Sequence, residues 1–147
     1  MKLKQISVPI ENSSSRLYEF TRALGDNGIH PRALTLVDTG HFGELRVLVS
    51  NTTGARQILM QKDLPGRVDD VVAVRIRNNP EELPNLFEKL MEADIKIKYS
   101  YSLAGPDRDS TIMIFHFSDN DKALEVLGGK EVHFVDQETI AQLEAAC

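Results

Sequence analysis

The chain repeats itself. Adding 66 to a residue number in the first half returns the same residue type: Val8 and Val74, Ile10 and Ile76, Asn12 and Asn78, Leu17 and Leu83, Leu24 and Leu90, Ile29 and Ile95. Further along the offset becomes 68, pairing Ser50 with Ser118, Ala55 with Ala123, Leu59 with Leu127 and Lys62 with Lys130. One unit has therefore been made twice, with about two residues inserted in the second copy. The expected division is 1–70 and 71–147. A unit this small buries only about 60% of its unfolded-chain surface, so each copy should lean on its twin or on a second chain.

The elements within each copy follow from periodicity. Ile6, Val8 and Ile10 alternate with Gln5, Ser7 and Glu11, which predicts a strand with one buried face. Residues 12–15 form a turn-and-cap cluster, and Leu17, Phe20 and Leu24 follow at helical spacing until Gly28 ends the run. Residues 29–39 are extended, 40–43 turn, and Leu45, Val47 and Val49 resume the alternation as a hairpin. Residues 51–53 cap a second helix bearing Ala55, Ile58 and Leu59, and 68–72 is a last strand. The second copy repeats this order. It has a strand at 72–76, a turn at 78–81 with Pro80 suited to the first helical turn, and a stripe of Leu83, Leu86, Phe87 and Leu90. An alternating segment at 95–101, a strand at 111–117, a helix at 119–127, a strand at 132–135 and a tail helix at 138–145 complete it. Each copy is β-α-β-β-α-β, an α+β class of ferredoxin-like topology with an antiparallel sheet. Residues 68–76 form nearly continuous extended chain, so the last strand of one copy should run into the first strand of the next.

Two assignments concern exposure. In 111–117, Met113, Phe115 and Phe117 should face the helices, leaving Ile112 and Ile114 on the open side of the sheet, covered by the twin copy or a second subunit. Tyr99 and Tyr101 should share the buried face with Ile95 and Ile97.

The net charge of −5 argues against nucleic acid as a partner, since phosphate backbones repel it. No apolar run approaches the ~20 residues of a membrane span, and no signal-peptide core follows the first methionine. A cytoplasmic protein without a membrane partner is expected. The single cysteine, Cys147, allows no internal disulfide. His30, His41, His116 and His133 match no metal-ligand spacing, so neither metal nor cofactor is expected. No nucleophile elbow, Walker loop or dinucleotide fingerprint is present, which points away from an enzyme.

The turns narrow the function further. A strand ending in asparagine, then a short turn, then a leucine-led helix resembles the ACT domain, a small regulatory module that binds amino acids. The segment Asp38-Thr39-Gly40-His41-Phe42-Gly43-Glu44-Leu45-Arg46 resembles the hairpin of small stand-alone tandem ACT proteins. The resemblance covers essentially the whole chain, as two ACT-like units. It implies an amino acid or similar small ligand at an inter-domain or inter-subunit interface, a homodimer, and a regulated enzyme partner. It places candidate ligand-binding residues at Asn12, Ser13, Ser14, Ser15, Arg16 and Leu17 in the first turn. Asp38 and Thr39 end the second strand, and Asn78 and Asn79 form the equivalent turn of the second copy. In ACT domains a glycine at this turn lets a ligand carboxylate meet free N–H groups at the helix start. Here that position holds Ser15 in one copy and Glu81 in the other. The alternative is a ligand-free module that keeps the fold to dimerise or dock. Arg46 is expected on a solvated face beside Glu44.

Overall fold

The computed structural model describes residues 2–11, 14–38, 40, 43–64, 66–104, 107–129 and 132–145. The chain divides into two compact units, one built on Lys4–Asp69 and the other on Asp70–Leu143.

The N-terminal unit is made of β1 (Leu3–Ile10), α1 (Ser14–Asp26), β2 (Ala33–Asp38), β3 (Gly43–Leu48), α2 (Thr52–Gln61) and the start of β4 (Arg67–Arg77). Its strands run in the order β2-β3-β1-β4. β3 pairs antiparallel with β1, Ile6 opposite Val47, and with β2, Leu36 opposite Leu45. Ile6, Val8, Ile10, Leu45 and Val47 are buried against Phe20 and Leu24 of α1 and Ala55 and Leu59 of α2. Asn51 starts α2 by accepting the Gly54 N–H at 3.0 Å, as a helix cap should. Gly66 lets the chain return tightly against β1: a Cβ there would lie 2.7 Å from the Ile6 Cγ2.

The C-terminal unit repeats this plan with the remainder of β4, α3 (Glu82–Glu92), β5 (Ile97–Ala104), β6 (Ser110–Phe117), α4 (Asn120–Leu127) and β7 (His133–Val135). Helix α5 (Gln137–Ala145) follows. The strand order is β7-β4-β6-β5, with β4 antiparallel to both β6 and β7. The chain is thus β-α-β-β-α-β twice over, and one eleven-residue strand, β4, ends one copy and begins the next. Val72, Val74, Phe115 and Phe117 are buried against Leu86 and Leu90 of α3 and Ala123 and Leu127 of α4. Asp119 caps α4 through the Lys122 N–H, the counterpart of Asn51 at an offset of 68.

Several expectations are corrected. Both faces of β1 are buried, so Gln5 and Ser7 are wholly inaccessible. They are satisfied by a polar chain in which Gln5 Nε2 donates to Ser7 Oγ (3.0 Å) and Ser7 Oγ to Asp69 Oδ2 (2.8 Å). Arg67 bridges Asp69 to Glu44, and Glu44 pairs with Arg46 at 3.2 Å. Arg46 is only 12% exposed, not solvated. Burying polar groups without such partners would cost about 1–3 kcal/mol each. The cover expected over Ile112 and Ile114 is, by contrast, present in the single chain, where both are wholly buried. Phe87 does not belong to the inward stripe of α3 and is 41% exposed. Helix α3 starts at Glu82, so Pro80 precedes it.

The tyrosines are also misplaced by simple alternation. Ile97 pairs with Phe117 but Tyr99 pairs with His116, so Lys98 is an extra residue in β5. A one-residue bulge exchanges the faces of everything beyond it. Tyr99, Tyr101 and Leu103 therefore share the side of Ile112 and Ile114, and Tyr99 stacks on His116 at 5.0 Å. Ser100 and Ser102 occupy the helix side instead, opposite Phe115 and Met113.

Helix ends show the repeat in backbone form. At the end of α1 the Ile29 N–H bonds the Leu24 carbonyl and the Gly28 N–H bonds that of Gly25, with Gly28 at φ 71°. This is the Schellman arrangement. At the end of α3 Ile95 bonds Leu90 and Asp94 bonds Met91, with Asp94 at φ 54°. The left-handed conformation costs a residue with a Cβ about 1–2 kcal/mol. Asp94→Gly is expected to stabilise the protein by about 1 kcal/mol, raising the melting temperature by roughly 2–4 °C. Gly28→Ala should lower it by a similar amount, since a Cβ at Gly28 meets no atom within 4 Å and only the backbone strain acts. Thermal unfolding by circular dichroism checks both, and equal melting temperatures would refute the account.

Candidate ligand-binding site

The two turns after the first strand of each copy hold the expected residues, and the structure treats them differently. In the N-terminal unit Asn12, Ser13 and Thr39 lie outside the described residues. Ser14 and Ser15 are exposed at the start of α1, Arg16 pairs with Glu19 at 2.8 Å, and Leu17 packs on the core. Asp38 Oδ1 accepts the Gly40 N–H at 2.8 Å, which is the local bond of a tight turn. A small cleft of about 220 Å³ in this unit lies along Tyr18, Arg22 and Asp26, away from the start of the helix.

In the C-terminal unit Asn78 and Asn79 border a cleft of about 610 Å³. The turn supplies Arg77, Asn78, Asn79 and Pro80, α3 supplies Leu83, and β4 supplies Ile76. The opposite wall is Ser102 of β5 and the segment 108–111, with Met113 of β6 at the base. The turn is tied to that wall by the Asn78 N–H, which bonds the Asp109 carbonyl at 2.6 Å. A second cleft, of about 320 Å³, shares Ile76, Arg77 and Asn79 and continues to Asn85 and Lys89 of α3.

The hydrogen bonds of this turn are local. Two N–H groups at the helix start are already taken. The Glu81 N–H already bonds Asn79 Oδ1 (3.0 Å), and the Glu82 N–H bonds the Asn79 carbonyl (3.2 Å). The Glu82 carboxylate itself folds back onto Arg77, accepting from its backbone N–H (2.7 Å) and its Nε (2.9 Å). Arg108 also lines the larger cleft. Arg108 is exposed and, among the described residues, has no ion-pair partner.

Arg108, Asp109 and Ser110 were not among the residues that sequence reasoning selected, yet a signal for them existed. Asp38 pairs with Gly43 in the first hairpin, leaving four residues between the paired positions; Ala104 pairs with Thr111 in the second, leaving six. The change of offset from 66 to 68 is this insertion. The longer connection is held by Asp107, whose carboxylate takes the Ser110 hydroxyl (3.0 Å), the Asp109 N–H (3.0 Å) and the Arg75 guanidinium. Asp107 thus fixes the backbone from which Arg108 and Asp109 project at the cleft rim. A cation and a carboxylate side by side suit a zwitterion, one taking its carboxylate and the other its ammonium.

The Ser110 hydrogen bond, with help from the Asp109 N–H and Arg75, holds the Asp107 carboxyl below its ordinary value of 3.8. The Thr139 hydroxyl and N–H do the same for Asp136 at the start of α5. A depressed carboxyl contributes stability that is complete above its unfolded value and is lost as the pH falls through its folded one. The loss should therefore begin near pH 4 and continue downward. Melting curves between about pH 5 and 3 should fall less steeply for the Asp107→Asn, Asp136→Asn double variant than for the parent; parallel curves would dismiss these two clamps.

Among the described residues no helix is long and apolar enough to cross a membrane. The sequence matches the ACT domain pair over residues 1–144. Among solved structures, a protein from Bacteroides thetaiotaomicron is 31% identical with a TM-score of 0.87, covering 95% of this chain and 96% of that one. The ligand-free regulatory subunit of aspartate kinase from Thermus thermophilus shares the fold at 15% identity and a TM-score of 0.57, over 84% of this chain and 88% of that one. The corresponding subunit from Thermus flavus does so at 14% and 0.56, over 95% and 90%. No curated protein matches the sequence. With the doubled β-α-β-β-α-β order and a match that spans nearly its whole length, the chain belongs to the ACT domain family, as an ACT domain pair.

Proposed function

We propose that this ACT domain pair is a non-catalytic regulatory protein of the cytoplasm, a homodimer that binds an amino acid or similar small ligand. The observation that carries this reading is the cleft at the Asn78–Asn79 turn, with Arg108 and Asp109 together at its rim. The fold shared with regulatory subunits of aspartate kinase supports it. Binding acts by linkage: the ligand stabilises whichever arrangement holds it better, and a regulated enzyme partner responds to that arrangement.

A ligand at 100 times its dissociation constant adds about 2.7 kcal/mol, a melting-temperature rise of roughly 5–11 °C for a chain this size. Thermal unfolding against all twenty amino acids should show such a rise for one chemical class, and Arg108→Ala should abolish it. A flat response across the twenty would remove the reading. It would favour a ligand-free docking module, the alternative supported by the helix-start N–H groups that Asn79 already occupies. Solution mass with and without ligand would then be unchanged.

A further inference from the structure

The two copies differ at one cross-strand pair that decides whether the base of the cleft is open. In the N-terminal unit Leu36 of β2 sits opposite Leu45 of β3 on the helix side. Leu36 packs on the core, Leu45 is wholly buried, and Ile10, at the end of β1, is 2% exposed. In the C-terminal unit the counterparts at offsets of 66 and 68 are Ser102, Met113 and Ile76. Ser102 sits opposite Met113 in the same register. A hydroxymethyl group cannot cover what a leucine covers. Met113 and Ile76 are accordingly only partly buried, and both line the cleft together with Leu83, which is partly buried as its counterpart Leu17 is.

Charge at the cleft adds a second selection. Glu81 and Glu82 stand at the turn, and Asp109 stands on the rim. Arg77 is already bonded to Glu82. Beyond the single zwitterion contact at Arg108 and Asp109, no described residue at the base of the cleft carries a free charge to compensate a charged side chain, since Ile76, Leu83 and Met113 there are aliphatic or thioether.

We infer that the C-terminal unit alone is the ligand-binding copy, and that it takes one amino acid with an uncharged, apolar side chain per chain, seated on Ile76, Leu83 and Met113. This rests on the proposed function, and it adds the ligand class and the stoichiometry. Ser102 is the specificity determinant, acting by its small size.

Titration calorimetry on the full chain with alanine, norvaline, leucine, methionine and glutamate tests it. Each methylene seated on an apolar floor is worth about a fourfold gain in affinity, so norvaline should bind on the order of tenfold tighter than alanine. Leucine and methionine should be tighter than alanine too, glutamate should not bind, and the stoichiometry should be one per chain. Ser102→Leu copies the N-terminal unit. It should weaken leucine and methionine by at least about tenfold while leaving the melting temperature equal or higher, because Ser102 is exposed and the new side chain covers apolar surface. Amino acids that bind with no gain from alanine to leucine, with glutamate preferred, at two per chain, or indifferently to Ser102→Leu would overturn this inference and leave the proposed function standing. Absence of binding by every amino acid would end both.

Discussion

Each unit depends on covering one face of a four-stranded sheet with two helices, and the cross-strand pair at the open edge decides how complete that cover is. Two helices over β1 and β3 bury Val8, Leu45 and Val47 completely in the N-terminal unit. The edge strand must finish the job, and Leu36 does so. The same register in the C-terminal unit brings up Ser102, and the aliphatic base beneath it stays in contact with solvent. Units this small have little core to spare, so leaving Ile76 and Met113 half-buried costs apolar burial that the fold could otherwise have had.

The doubled topology could be read from the chain because its signals are redundant. Apolar periodicity, caps at Asn51 and Asp119, and breaks after Leu24 and Leu90 all recur at fixed offsets, and local signals that agree with one another specify a fold. What stayed hidden has specific physical causes. The bulge at Lys98 inserts a residue without a glycine or proline to announce it, so alternation assigns Tyr99 and Tyr101 to the wrong side. Gln5 and Ser7 look like a solvated face because their polar chain through Asp69, Arg67 and Glu44 is assembled from distant segments. Asp94 is invisible as a helix stop because its left-handed φ is imposed by the bonds of Asp94 and Ile95 back to α3.

The site was legible in part for the same reason. Asn78 and Asn79 are placed by the first-copy homology of the turn, and they do border the cleft. Arg108, Asp109 and Ser110 lie in or beside the hairpin connection that is two residues longer than its first-copy counterpart, so no single offset aligns them with the first copy. The insertion is also where the copies become chemically distinct. Asp107 draws Arg75, the Asp109 N–H and the Ser110 hydroxyl onto one carboxylate, turning a longer hairpin connection into a defined wall. A glycine-rich turn reaches a ligand by close approach of the backbone, whereas here Asn79 takes the N–H groups of Glu81 and Glu82 and the charged rim comes from the facing hairpin.

A duplicated fold allows this division because the copies carry different loads. In one copy the covered floor contributes burial, and the Asp38 carboxylate takes the Gly40 N–H of its own turn. In the other, the uncovered floor withholds burial from the free protein. On the proposed reading, an apolar side chain that fills it supplies that burial only when bound. The stability of the C-terminal unit then rises with occupancy, by an amount set by how much of Ile76, Leu83 and Met113 the ligand covers. A regulatory protein needs this coupling, since a ligand can shift an equilibrium only by its difference in affinity for the two states. A floor sealed as in the N-terminal unit would be more stable and would have nothing left for a ligand to change.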